Sequence, residues 1–161
     1  MPQSGKIDGV VILPRKRLDD DRGAILKAWA ADEDLASDWL AVGEVYCSMV
    51  VGNAVKAWHL HRAMTLRYIC VLGKALVGLY DNRPTSHTRG ATMRVVLEDH
   101  GEGYQMLIVP PGIWNGFRSL TAGPSMILNV PDMPHDPREI ERMNPRDVPW
   151  AFEWGDFGYG G

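Results

Sequence analysis

The sequence predicts an all-β fold, a sandwich or closed barrel of short strands, and three observations predict it. Glycine and proline punctuate the chain at short intervals: Gly43, Gly52, Gly73, Pro84, Gly90, Gly101, Gly103, Pro110, Pro111, Gly112, Gly116, Gly123 and Pro124. Between these breaks lie runs rich in Val, Ile, Leu, Tyr and Trp, of strand length and bounded by turn residues. No repeated alternation of strand-like and long helix-like stretches argues for βαβ units. With 161 residues, 45% of them hydrophobic, the chain is sized for one domain with its own core. We read residues 1–161 as a single domain, with a core over about 22–131 and an irregular C-terminal tail over 132–161.

Each element follows from its local pattern. The apolar run at 10–13 is short and flanked by charge, which fits neither a signal peptide nor a membrane span and points to a cytoplasmic protein. Residues 32–40 carry acidic groups in a possible first turn and an aromatic Trp39, so a short helix is expected there. Strands are expected at 43–51, 55–61, 66–72, 75–80, 92–97, 104–109 and 125–130. Beyond them, 137–143 is a second candidate helix inside a proline-rich, charged tail that wraps over the barrel until Trp150 to Trp154 docks, and 155–161 reads as a frayed end. Cys47 and Cys70 lack CxxC spacing and sit in apolar runs, which suits reduced, buried thiols better than a disulfide framework, with a Cys47–Cys70 bridge as the alternative. The net charge of −3 and the absence of a basic stripe argue against a nucleic-acid partner, so an anionic ligand would have to be captured by a few local Arg and Lys residues.

The run Lys56-Ala57-Trp58-His59-Leu60-His61-Arg62 carries the functional signal. Alternate side chains of a strand share a face, so His59 and His61 look into one space while Trp58 and Leu60 point the other way. If that space is a barrel interior, two titratable rings stand where a passive core would carry Val or Ile, and buried polar groups need partners or work. Trp58 is then core, and Trp114, next to Gly112 and Asn115, is placed to line the mouth. His87, His100 and His135 fall in loops and read as solvated; Asp81 and Arg83 read as a turn brace; Tyr46, Tyr68, Tyr80 and Tyr104 read as packing.

Several motifs arrive in a recognisable order: the Asp21-Arg22-Gly23 turn, His59, Asp81-Asn82-Arg83 with Ser86-His87-Thr88-Arg89-Gly90, Pro110-Pro111-Gly112 with Asn115-Gly116-Phe117, and Trp154. Together, over Arg22 to Trp154, they resemble the dTDP-4-dehydrorhamnose 3,5-epimerase family of cupins. The resemblance implies a cupin jelly-roll barrel, a homodimer, with short helical or irregular terminal segments. It implies an isomerase that binds a nucleoside-diphosphate 4-keto-deoxysugar and removes a proton beside the carbonyl. No membrane or nucleic-acid partner and no cofactor belong to this picture.

In the family pattern His59 is the base, Arg22 and Lys56 reach the phosphates, Ser48 is the small polar residue of the preceding strand, and His61 with Asn115 orients the sugar. Lys27 replaces an acidic residue, and Trp29 is placed as an aromatic surface for the base ring. Further positions depart from the pattern, Val77 among them, which stands in place of an acidic neighbour of the family's lysine. Asn144 occupies the place of the carboxylate that holds the base, leaving Asp132, Asp136 or Asp147 as substitutes. Leu66 falls on the enolate-stabilising lysine; Arg67, one residue away, is the substrate-binding candidate in its place, although strict alternation turns it to the other face. Leu128 or Asn129 falls on the proton-returning tyrosine, a role one of the other tyrosines would then have to fill, and Asn115 stands where the family has a histidine. This depletion suits a single-proton epimerase or a ketoisomerase better than double inversion. Two other classes share the residues: a binding module without turnover, and a metal cupin holding its ion on His59 and His61, with Thr65 and Asn115 at the other two ligand positions.

Overall fold

Thirteen strands carry the regular structure of the computed structural model, which describes residues 3–4, 6–30 and 41–155. They are β1 (Gln3–Ser4), β2 (Val11–Pro14), β3 (Arg17–Asp20), β4 (Gly23–Leu26), β5 (Tyr46–Val50), β6 (Val55–His61), β7 (Leu66–Leu72), β8 (Lys74–Asp81), β9 (Thr92–Glu98), β10 (Gln105–Val109), β11 (Ile113–Ser119), β12 (Ser125–Asn129) and β13 (Ile140–Arg142). The seven strands expected from the sequence all form, to within a few residues at their ends. Every pairing is antiparallel.

Two sheets face each other. One has the order β1-β2-β10-β7-β12-β5, the other β13-β6-β11-β8-β9, and β3 and β4 form a separate hairpin. Hairpin neighbours β7 and β8 lie in different sheets, so the chain must cross between layers at Gly73. Its positive φ of 76° allows that corner, and a Cβ there would stand 2.9 Å from Ser125 Oγ. Leu66, Tyr68 and Cys70 of one sheet and Ala75, Val77, Leu79 and Phe117 of the other fill the space between, as inward residues of alternating strands should. The sandwich reaches past the expected core of 22–131 on both sides, because β2 pairs with β10 and β13 pairs with β6.

Both outer faces are covered. Trp150, Phe152 and Trp154 dock on Trp58, Leu76 and Trp114 behind the five-stranded sheet, as expected for the C-terminal aromatics. Trp58 meets the three rings of this tail at centroid distances of 5.1–5.4 Å, and Tyr80 stacks on Trp150 at 4.1 Å. Gly78 makes room for them, since a Cβ on it would lie 2.7 Å from the Trp154 ring. Leu26, Ala28 and Trp29 cover Ile69, Met106 and Ile108 behind the other sheet.

Several expectations are corrected. The candidate helix at 137–143 is instead a turn followed by β13, because the backbone of Ile140–Arg142 finds an unpaired edge on β6. β11 lies where the sequence shows only Pro110, Gly112 and Gly116 as breaks; its glycine permits close strand packing rather than ending the strand. Cys47 is exposed and Cys70 buried, both free, because they alternate onto opposite faces of their strands. Trp114 lies 4% exposed in the outer aromatic cluster, away from any mouth, since its neighbour Asn115 takes the inner face. The candidate helix at 32–40 and residues 156–161 lie outside the described residues.

Candidate active site

A cavity of about 390 Å³ opens between the sheets, lined by β6 and β13 on one side and β5, β7 and β12 on the other. His59 and His61 stand on its β6 wall, sharing a face as period two requires. Lys56 lines it too. Strict alternation would turn residue 56 away from 59 and 61, but the register of β6 against β11 steps from His59 opposite Asn115 to Ala57 opposite Gly116. Trp58 is thus an extra residue, and the bulge brings Lys56 to the cavity face while Trp58 itself enters the outer core. Lys56 Nζ donates to Ser48 Oγ on β5 at 3.0 Å, and both residues also line a second recess at the mouth with His59 and Arg142.

The two imidazoles live in different surroundings. His61 Nδ1 is hydrogen-bonded to Glu139 Oε1, and both residues are buried. The other Glu139 oxygen accepts the backbone N–H groups of Ala63 and Met64, at 3.2 and 3.3 Å. Burial works against ionisation of Glu139, yet these hydrogen bonds outweigh it and hold the carboxyl below its ordinary range. His59 has no such partner among the described residues. Burial above all, then Arg142, His61 and Lys56, push it down to about 4, so it is neutral at neutral pH.

The facing wall carries hydroxyls. Tyr46 Oη accepts from Asn129 Nδ2 at 2.9 Å, its own proton has no acceptor among the described residues, and Tyr46 pairs directly with Asn129 across β5 and β12. Desolvation raises its pKa, keeping it protonated. Tyr68 is raised further by complete burial, and its hydroxyl donates to Asn115 Oδ1 at 2.9 Å. Tyr80 and Tyr104 lie outside the cavity.

Of the residues expected at the site, His59, His61, Lys56 and Ser48 come together here. Asn115 does not line the cavity: its amide is bonded to Tyr68, the His59 carbonyl at 3.0 Å and the Ile113 carbonyl at 3.3 Å, so it braces two strands instead of touching a ligand. Arg67 is fully buried on the opposite face of β7 from Tyr68, and its Nη2 donates to the Ala41 carbonyl. Arg22 sits in the β3–β4 turn, highly exposed and paired with Asp20 at 2.6 Å, outside the cavity lining. Lys27 is exposed and Trp29 packs behind the other sheet.

None of the acidic substitutes reaches His59: Asp132 accepts the Thr65 N–H at 2.9 Å, Asp136 pairs with Arg138 at 2.8 Å, and Asp147 is exposed. Exposed Asn144 accepts the Arg146 N–H at 2.9 Å. Asp81 and Arg83 form the expected brace, a buried carboxylate taking hydrogen bonds from Arg83, Ser86 and Thr88 that hold it well below its ordinary range despite desolvation. The sequence reading missed Glu139, Arg142, His135 and the cavity role of Tyr46; none belongs to a local motif, and pairing of β13 with β6 brings Arg142 to the cavity and sets Glu139, the residue before β13, against His61. Among the described residues no group of three His, Cys, Asp or Glu side chains is arranged to hold a metal ion, and no helix is long and apolar enough to cross a membrane.

Comparison with known proteins bears on this geometry. The family model described as dTDP-4-dehydrorhamnose 3,5-epimerase matches residues 4–159. A probable low-salt glycan biosynthesis epimerase of Haloferax volcanii is 30% identical over 119 residues, covering 73% of each chain. A spore coat polysaccharide biosynthesis protein of Bacillus subtilis is 28% identical over 153 residues, 92% of this chain and 96% of that one. Among solved structures, a dTDP sugar isomerase from Desulfovibrio desulfuricans superposes with a TM-score of 0.88 at 31% identity, over 96% of this chain and 98% of the other.

Proposed function

This chain belongs to the dTDP-4-dehydrorhamnose 3,5-epimerase family, and from that premise we propose that it is a sugar-nucleotide epimerase or isomerase that removes a proton beside the carbonyl of a nucleoside-diphosphate 4-keto-deoxysugar. One observation carries the reading: a cavity with two imidazoles on one wall and protonated hydroxyls on the wall opposite. A carbon acid held between them loses its proton to one side and regains one from the other, which inverts the stereocentre. Tyr46 is the hydroxyl suited to return the proton, since it accepts a hydrogen bond and has its own proton to give. It stands one strand from the position the family pattern assigns to a tyrosine.

The rim suits an anion. Lys56 and Arg142 flank the mouth beside Ser48, and the cavity's volume is of the size small-molecule sites use. In this reading the sugar ring lies against the imidazoles and the diphosphate against the two cations, the Arg142 guanidinium as a fork and the Lys56 ammonium as a point charge, both as charge-assisted donors to phosphate oxygens. The enzyme is further taken to be cytoplasmic and to work as a homodimer. The exposure of Leu18, Ile25, Val45, Met49 and Val51 supports pairing, because these are large apolar side chains left in solvent. Light scattering is expected to give the mass of two chains, and the mass of one would count against it.

The test of the activity is direct. With dTDP-4-keto-6-deoxyglucose in D₂O, deuterium is expected to enter at C3 or C5 and to be lost in the double variant His59→Asn/His61→Asn. Exchange no faster than in that variant would overturn the enzymatic reading; stabilisation by dTDP without exchange would leave a binding module in its place.

A further inference from the structure

We infer that the proton is taken by His61, with Glu139 as its positioning residue, and that His59 serves as a hydrogen-bond donor to the carbonyl oxygen rather than as the base. The inference rests on the epimerase reading of the cavity and reassigns the roles within it. Two imidazoles on one strand face see the same substrate, so the question is which can hold a proton as it arrives.

His61 is built for that. Its Nδ1 is engaged by Glu139, and that carboxylate is itself fixed by the Ala63 and Met64 amides and by its own backbone carbonyl, which accepts Arg62 N–H at 2.9 Å. Donation of Nδ1–H to the carboxylate sets the tautomer and leaves Nε2, which no described residue hydrogen-bonds, as a lone-pair acceptor. When Nε2 takes a proton, the buried carboxylate stabilises the imidazolium that results. Ile140 pairs opposite His61 on β13, so the residue before it is delivered to the ring by strand register rather than by chance proximity.

His59 has the reverse environment. It is desolvated, it lies beside Arg142, Lys56 and His61, and no carboxylate stands against it among the described residues. Burial and the neighbouring Arg142, His61 and Lys56 oppose a positive charge on this ring. The groups that face the cavity around it, namely Glu44, Tyr46, His135 and the residues just named, supply only one acid, Glu44, and it hydrogen-bonds neither ring. A neutral imidazole can still donate one N–H, and a donor that stays neutral can polarise a ketone without surrendering its proton.

The step balances as follows: His61 Nε2 takes the proton from the carbon beside the carbonyl, and the C–H electron pair becomes the C=C bond of the enolate. The carbonyl π pair moves to oxygen, where His59 N–H stabilises it. Return of a proton from Tyr46 on the opposite face completes an inversion, with the phenolate reprotonated and the His61 imidazolium deprotonated by solvent.

Asparagine separates the two roles, because an amide donates a hydrogen bond but takes up no proton. In the D₂O exchange assay on the full chain, His61→Asn is expected to lose about a thousandfold in exchange rate, within the range of a lost general base. His59→Asn is expected to lose about tenfold, less than a deleted oxyanion donor costs, and Glu139→Gln about ten- to a hundredfold, as loss of a residue that orients a histidine through its other ring nitrogen typically does. Binding of dTDP, followed by thermal shift, checks that each variant is folded. Independently of turnover, ¹⁵N-histidine spectra should show a downfield His61 Nδ1–H that persists in His59→Asn and disappears in Glu139→Gln. Near-complete loss of exchange in His59→Asn with His61→Asn within tenfold of wild type would overturn the assignment, as would a downfield proton unaffected by Glu139→Gln. Absence of exchange in the wild-type protein would remove the epimerase reading itself and this inference with it.

Discussion

His59 makes an energetic claim that solution measurements can read. A histidine in the unfolded chain titrates near 6.5, whereas in the folded protein burial, aided by Arg142, His61 and Lys56, lowers it to about 4. Between these values the unfolded chain binds a proton that the native state refuses, so the native state loses stability as pH falls from about 6.5 to about 4. The full shift sets an upper limit near three kcal/mol, and solvent reaching the open cavity brings the expectation to about 2 kcal/mol. His59→Asn should flatten the decline in unfolding free energy, read from urea melts, between pH 7 and pH 4.5 by that amount. An identical pH dependence in variant and wild type would contradict the burial of this ring. At this scale the sequence already pointed to His59, His61, Lys56 and Ser48, because period two and a family spacing are local. It pointed also to Arg67 and Asn115, whose side chains are engaged by the Ala41 carbonyl and by Tyr68 rather than turned into the cavity.

Among the elements, the junction of β6 and β11 decides the geometry of the site. Gly116 lets the two strands close up beside the bulge: a Cβ there would stand 2.7 Å from Ala57 Cα and 2.8 Å from the Lys56 carbonyl oxygen, backbone atoms that cannot step aside. Gly116→Ala is therefore expected to cost about 1–3 kcal/mol, as overpacking does, and to lower deuterium exchange by shifting His59 and Lys56. Gly123→Ala is the matched control, since nothing lies within 4 Å of a Cβ at that position. Thermal melts of the pair give the answer, and equal melting temperatures would show that β6 can yield. Strand positions were legible wherever β-branched and aromatic residues clustered between breaks. β11 and β13 were not, because Ile113–Ser119 contains a glycine that reads as a break and Ile140–Arg142 is too short to show a period.

Taken as a whole molecule, the protein is acidic, with a net charge of −3, yet its cavity mouth gathers Lys56 and Arg142. Anion capture here is a local matter that the global charge conceals. Saturating dTDP at a hundred times its Kd should raise stability by about 2.7 kcal/mol. Arg142→Met, and separately Lys56→Met, should weaken dTDP binding by about ten- to a hundredfold, the value of a charge-assisted hydrogen bond, with most of the effect on affinity and little on the melting temperature of the free protein. Calorimetry that found both variants unchanged would move the diphosphate away from this rim.

The amino-acid sequence alone determined that the chain is all β, that His59 and His61 look into one space, and that a turn braced by Asp81 and Arg83 follows β8, because alternation, turn chemistry and motif spacing act over a few residues. Tertiary structure decided which groups meet those imidazoles. Glu139 reaches His61 from 78 residues away, Arg142 arrives opposite His59 on the edge strand β13, Tyr46 comes from the facing sheet, and one bulge residue turns Lys56 inward. Strand order, register and a one-residue slip set each of these encounters. They depend on how distant segments compete for the same edges and faces, which no local pattern records.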